Sequence, residues 1–143
     1  MPRPVDVWLA SGVRTPFAKV DGPLAALDAL ALSVPVAQHM VGLLKDGRPD
    51  FAVWGAVVPS LMWSNIAREV LMDAGIDPTT PAFSTVMACS TSMMGAIEAA
   101  GMIDGDAYNL ALVGGVDSLS CVQIGLGQKL SDWLSTPPTR ARL

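Results

Sequence analysis

Short apolar runs alternate along this chain with segments of helical period, and that alternation constrains its fold more than any other feature. Val5 to Ala10 (Val-Asp-Val-Trp-Leu-Ala) is β-rich and stops at Ser11-Gly12 and Thr15-Pro16, where proline excludes continued ladder pairing. From Leu24 to Leu44 apolar residues recur at helical spacing, with Pro35 predicting a kink or a restart and Gly47 and Pro49 closing the segment. Phe51 to Val58 reads as a strand buried on both faces. Ser64 to Ala74 reads as a helix capped by Ser64 or Asn65 and stopped by Gly75. Phe83 to Met87 is a third strand that runs, with only Ala88 between, into Cys89 and a helix over Thr91 to Ile103. Tyr108 to Val113 is a fourth strand, ending in Gly114-Gly115, where missing side chains allow a tight turn or a close neighbour. The order predicts an α/β fold, a mostly parallel sheet with helices on both faces and right-handed crossovers.

The length of 143 residues suits one domain. At 51% hydrophobic, 15% charged and mean hydropathy +0.44 the chain is too apolar for disorder, and it falls short of the roughly 25% charge of an ordinary globular surface. Part of its surface is therefore expected to be covered by something else. Asp28, Lys45, Arg68, Asp73 and Glu98 cut every apolar run below the roughly 18 residues of a membrane span, so none is expected. A net charge of −4 without a basic cluster in the first 125 residues argues against nucleic acid as a partner. The N-terminus carries an acid at Asp6 and no small-residue cleavage site, which predicts a cytoplasmic protein. After Ser120 the periodicity breaks at Gly125, Gly127, Pro137 and Pro138, while Lys129, Arg140 and Arg142 gather near the end, as in an arm or the start of another unit.

Cys89 is the most informative position for chemistry. The third strand delivers it to a helix start, where unpaired N–H groups and a partial positive charge favour thiolate and can hold an oxyanion. A free cysteine elsewhere is commonly a small buried hydrophobe, and Ser90, Thr91 and Ser92 equally suit helix caps. The single histidine, His39, lies between Gln38 and Met40 in an amphipathic segment that suits a solvent-facing or capping role better than a base. The residues around Cys89 also lack protease signatures, so no nucleophile–base dyad is visible. Gly114-Gly115 and Gly125-Leu126-Gly127 form no complete nucleotide-loop motif and read as turn glycines. Met93 and Met94 suit an acyl pocket or core filling. Cys121 has no helix-start elbow and reads as structural or incidental, and neither cysteine spacing nor His39 suggests a metal site.

Assembled in chain order, these residues resemble the thiolase family. Val13-Arg14-Thr15-Pro16-Phe17 is similar to the family's Arg-Thr-Pro opening, Asn65-Ile66-Ala67-Arg68 to its Asn-x-Ala-Arg helix, and Val86-Met87-Ala88-Cys89 to its nucleophile elbow. Gly114-Gly115-Val116-Asp117-Ser118-Leu119-Ser120 is similar to its Gly-Gly-x-Glu/Asp-Ser-Met-Ser turn. The wording resembles most the 3-ketoacyl-CoA thiolase β-subunits of fatty-acid-oxidation complexes. The resemblance implies a thiolase-like α/β/α layered half, with residues 1–120 as the N-terminal domain and 121–143 as the start of a loop domain. It implies an acyltransferase in which Cys89 attacks an acyl-CoA carbonyl and passes the acyl group on, coenzyme A being a substrate. It also implies a homo-oligomer pairing through Phe83 to Met87, with a hydratase/dehydrogenase subunit as a further candidate partner. The family's Gly-His-Pro and Cys-x-Gly motifs do not occur in the sequence, and Thr91-Ser92 replaces its usual Ser-Gly after the nucleophile. A fragment that is catalytically incomplete alone is the expectation. A non-catalytic thiolase-like dimerisation or partner module is the alternative, and an unrelated flavodoxin-like or Rossmann-like binding domain is a third reading.

Overall fold

A computed structural model describes residues 6–135 with the exception of residue 59. The elements in chain order are α1 (Ala29–Gly42), β1 (Phe51–Gly55), α2 (Ile66–Asp73), β2 (Ala82–Ser84), α3 (Thr91–Asp104), β3 (Ala111–Gly115) and α4 (Gln128–Ser135). The three strands form one parallel sheet in the order β2-β1-β3. Ala52 lies opposite Ala82 and Leu112, and Val53 opposite Phe83 and Val113.

Every residue of the central strand β1 is buried, and alternate side chains feed two cores. Ala52 and Trp54 join Ala37 of α1, Ile66, Ala67, Val70 and Leu71 of α2, and Leu112 of β3. Phe51 and Val53 point the other way, onto Ala99 of α3 with Phe83, Ile103 and Tyr108 around them. A strand with helices on both sides must be apolar at consecutive positions, as the run Phe51–Gly55 is. From central β1 the crossover α2 leads to one edge, and from there α3 leads back across to the other. Two crossovers of one hand travelling in opposite directions lie on opposite faces, and the two cores place them so.

The differences from the sequence reading have local causes. Residues 6–10 form no strand; Trp8 and Leu9 are 83% and 95% exposed. β-propensity is realised only where an edge accepts the ladder bonds, and this segment meets none among the described residues; Val5 lies outside them. The first helix starts at Ala29 because Asp28 caps it, accepting Ala31 N–H on Oδ1 at 2.8 Å, while residues 22–27 close single turns. Pro35 neither ends nor restarts this helix. Two residues earlier the Ser33 hydroxyl donates to Ala29 O at 2.7 Å and accepts the Trp54 indole N–H at 3.0 Å, which ties α1 to β1. The fourth strand runs later than expected, so Gly114 and Gly115 lie within β3 and not in a turn after it. A Cβ at Gly114 would fall 2.4 Å from the Trp54 ring, so the glycine is what admits the indole. Beyond Ser120, α4 forms between Gly127 and Ser135 with no residue buried; Pro137, Pro138, Arg140 and Arg142 lie outside the described residues.

Considerable apolar surface is left exposed. The chain exposes 10418 Å², where a compact monomer of this mass exposes roughly 7000 Å². Trp8, Leu9, Phe17, Leu61 and Ile124 are each more than four-fifths exposed. No helix among the described residues is long and apolar enough to cross a membrane.

The tightest packing is at the carboxyl end of β1. A Cβ at Gly55 would lie 2.2 Å from Thr91 Cγ2 and 2.3 Å from Thr85 O, so backbone and buried side chain would both have to move. Gly55→Ala is expected to cost about 3 kcal/mol, the upper range for overpacking, measured by urea denaturation. A loss below about 0.5 kcal/mol would show that α3 does not sit against β1 as described.

Candidate functional site

The carboxyl ends of the three parallel strands share one rim of the sheet, and Cys89 stands on it. Six residues, Thr85 to Ser90, connect β2 to α3. The connection is thus longer than a strand running to Met87 would leave. Ser90 is the N-cap of α3 and Cys89 the residue before it, just outside the first turn. Its thiol is free and exposed. The bend is made at Ala88, whose φ of +46° lies in the left-handed region, and Met87 and Cys89 pair as an isolated bridge across it. A left-handed alanine between an extended segment and a helix turns the next side chain outward, with the unpaired N–H groups of the helix start behind it.

Hydrogen bonds on both sides hold this bend. Thr91 Oγ1 accepts Met87 N–H at 2.9 Å and donates to Ala88 O at 2.7 Å, while Ser90 N–H donates to Met87 O at 3.0 Å. Upstream, Thr85 is buried and its hydroxyl donates to Glu98 Oε1 of α3 at 3.3 Å. Asn65 and Arg68 anchor the strand that delivers the bend. Asn65 Oδ1 accepts Arg68 N–H at 3.2 Å and the Ser84 hydroxyl at 2.9 Å, and Asn65 Nδ2 donates to Ala82 O at 3.1 Å. Arg68 donates to Thr80 O at 3.2 Å and to Pro78 O at 2.7 Å. In the turn that Arg68 holds, the Thr79 hydroxyl and N–H, with Arg48 at 3.0 Å, keep the Asp77 carboxyl below its ordinary value.

The segment after β3, Val116 to Cys121, staples the neighbouring loops of the same rim. Asp117 Oδ1 accepts Val57 N–H at 2.9 Å and Val58 N–H at 2.8 Å, which closes the segment after β1. Ser118 donates to Leu27 O at 2.8 Å, Ser120 Oγ accepts Asp21 N–H at 2.9 Å, and the Cys121 thiol lies 3.3 Å from Ala25 O. Cys121 therefore sits within a loop contact and lines a cavity with Asp28, Trp63, Ser118 and Gln123. Cys89 does not line it. A second hollow lies between Leu9–Gly12 and the α3 residues Ser92 and Ala96, beyond the elbow.

His39 is exposed in the last turn of α1, on the face of the sheet opposite α3, and the fold does not bring it to Cys89. Arg14 stacks on Phe17 at 4.7 Å in an exposed loop. Met93 is 65% exposed, so it fills no core here. Among the described residues no group of three or more potential metal ligands converges. Sequence reasoning missed Thr91 as the centre of the bend, Thr85 with Glu98, and Gly55. A hydroxyl three residues after the bend, and a lone glycine ending a buried strand, were the signals available.

Because Asn65 both caps α2 and grips β2, Asn65→Ala is expected to cost about 2 kcal/mol in urea denaturation, of which a cap alone accounts for about 1. Asn65→Asp keeps the capping oxygen and should recover roughly half. A neutral Asn65→Ala would contradict this anchoring.

Residues 7–139 match the family model for the thiolase N-terminal domain. The 3-ketoacyl-CoA thiolase of Vibrio cholerae is 32% identical over 127 residues, covering 87% of this chain and 29% of that protein. The 3-ketoacyl-CoA thiolase of Shewanella sediminis is 34% identical over 127 residues, with the same shares. Among solved structures, the acetyl-CoA acetyltransferase of Bacillus anthracis matches with a TM-score of 0.77 at 26% identity, covering 82% of this chain and 30% of its own. A thiolase of Ascaris suum, solved in complex with coenzyme A, matches in fold with a TM-score of 0.76 at 24% identity, over 81% of this chain and 31% of its own. The chain spans less than a third of the length of these relatives, and it belongs to the thiolase family through the family's N-terminal domain.

Proposed function

We propose that this chain is the nucleophile-bearing part of a thiolase-type acyltransferase acting on acyl-CoA thioesters, with Cys89 as the acyl acceptor. The observation that carries this reading is an exposed, free thiol on a left-handed bend immediately before a helix. In the proposed step the Cys89 sulfur attacks the thioester carbonyl carbon, the bond from that carbon to the coenzyme A sulfur breaks, and coenzyme A leaves as a thiol carrying the proton from Cys89. N–H groups at the start of α3 face developing negative charge. Transfer of the acyl group onward, to coenzyme A or to a carbanion, completes the chemistry that the relatives' names describe, thiolysis of 3-ketoacyl-CoA or acetyl transfer.

The fold does not present His39 to the thiol, so we assign the base to groups outside the described residues. General-base help is worth about 10²–10⁴ in rate, and the chain alone is accordingly slow. That placement of His39 is also what favours a second reading, a non-catalytic thiolase-like module that pairs or partners a larger subunit. Pairing through residues 83–87 is supported by the edge position of β2 and by Val86 and Met87, 65% and 51% exposed. We take residues 121–143 as the start of a loop domain, and a reducing cytoplasmic setting suits two free thiols.

Mass spectrometry of the chain after incubation with acetyl-CoA tests the proposal. An acetyl adduct mapped to Cys89 and absent from Cys89→Ala is expected. If no adduct forms even when the C-terminal portion of a related thiolase is supplied, the non-catalytic module is the correct reading.

A further inference from the structure

Three non-glycine residues among those described have positive φ: Asp21, Ala88 and Asp106. Aspartate tolerates the left-handed region because its short polar side chain can bond locally, whereas alanine has no such compensation. The alanine is the one beside the thiol, so its conformation must be held from outside. Thr91 is placed to hold it. One oxygen accepts the N–H of Met87 and donates to the C=O of Ala88, so the hydroxyl spans the bend and closes it from both ends. The side chain is itself fixed, 5% exposed, with its methyl against the space that Gly55 leaves open.

We infer that Thr91 is a positioning residue, whose hydroxyl clamps Ala88 in the left-handed conformation that presents the Cys89 thiol to an acyl donor. The inference rests on the reading of Cys89 as acyl acceptor and adds the group that keeps it there. Thr91 touches no reacting atom in this assignment; it acts through the backbone of residues 87 and 88.

The test compares Thr91→Val, which keeps the shape and removes the hydroxyl, with Thr91→Ser, which keeps the hydroxyl, in the full chain. Acetyl loading of Cys89 from acetyl-CoA is expected to fall about tenfold or more in Thr91→Val and to stay within about threefold in Thr91→Ser, since small misplacements of a reacting group carry penalties of this order. Glycine adopts positive φ without steric cost, so the Thr91→Val loss should shrink to about threefold or less in the Ala88→Gly background. A general loss of fold would not be rescued there. Equal loading by Thr91→Val and wild type, or the same loss in both backgrounds, would overturn the clamp. Hydrogen exchange at the Met87 amide separates this result from failure of the acyl reading. If wild type forms no adduct, that reading fails, while the clamp still predicts about tenfold faster exchange in Thr91→Val and not in Thr91→Ser. Unchanged Met87 exchange in Thr91→Val overturns it.

Discussion

The close seating of α3 on the carboxyl end of the sheet is the contact on which the rest depends. Three glycines make room for it. Gly55 leaves space for the Thr91 methyl and the Thr85 carbonyl, a Cβ at Gly115 would meet Ser92 Cβ at 2.9 Å, and one at Gly95 would meet Val53 and Val113 at 3.2 Å. A side chain at Gly55 or Gly115 would force the helix start to shift, while one at Gly95 would press Val53 and Val113 by a few tenths of an ångström. With α3 pinned, the chain from β2 has only six residues in which to reverse from extended to helical. A left-handed residue answers that constraint, and the thiol after it faces solvent.

Around this contact, the residues shared with the family's motifs are mainly builders of the scaffold. Asn65 and Arg68 tie α2 to β2 and to the turn before it, which fixes the strand that delivers Cys89. Asp117 and Ser118 gather the loops after β1 and before α1 against the turn after β3. The rim is thereby organised from three directions by side chains that accept or donate to backbone, which is how polar residues rigidify loops without a core of their own. Arg14 and Phe17 stack on each other in an exposed loop.

Much of this was legible in the residues, and what was not depended on partners distant in sequence. Alternating runs gave the α/β order because helix and strand periods are local properties, and Asn65 was a cap candidate because a short amide beside an apolar period has few other uses. Val5 to Ala10 misled, since propensity reports what a segment suits and not whether an edge awaits it. α4 hid between glycines and prolines that read as breaks. Pro35 suggested a kink or a restart, and α1 runs through it without restarting. Gly55, Thr91 and the Ser33–Trp54 bond were invisible for one reason: each is defined by an atom brought near only by folding.

The central claim is that position on the fold, and not mere exposure, sets Cys89 apart. The chain carries its own control, because Cys121 is also free and exposed but engages a backbone carbonyl and precedes no helix start. Competitive iodoacetamide labelling of both cysteines, folded and in urea, measures this directly. The account predicts Cys89 labelling about tenfold or more faster than Cys121 in the folded chain, with the ratio falling to near one on unfolding. Equal rates in the folded chain, or a preference that survives in urea, would contradict it.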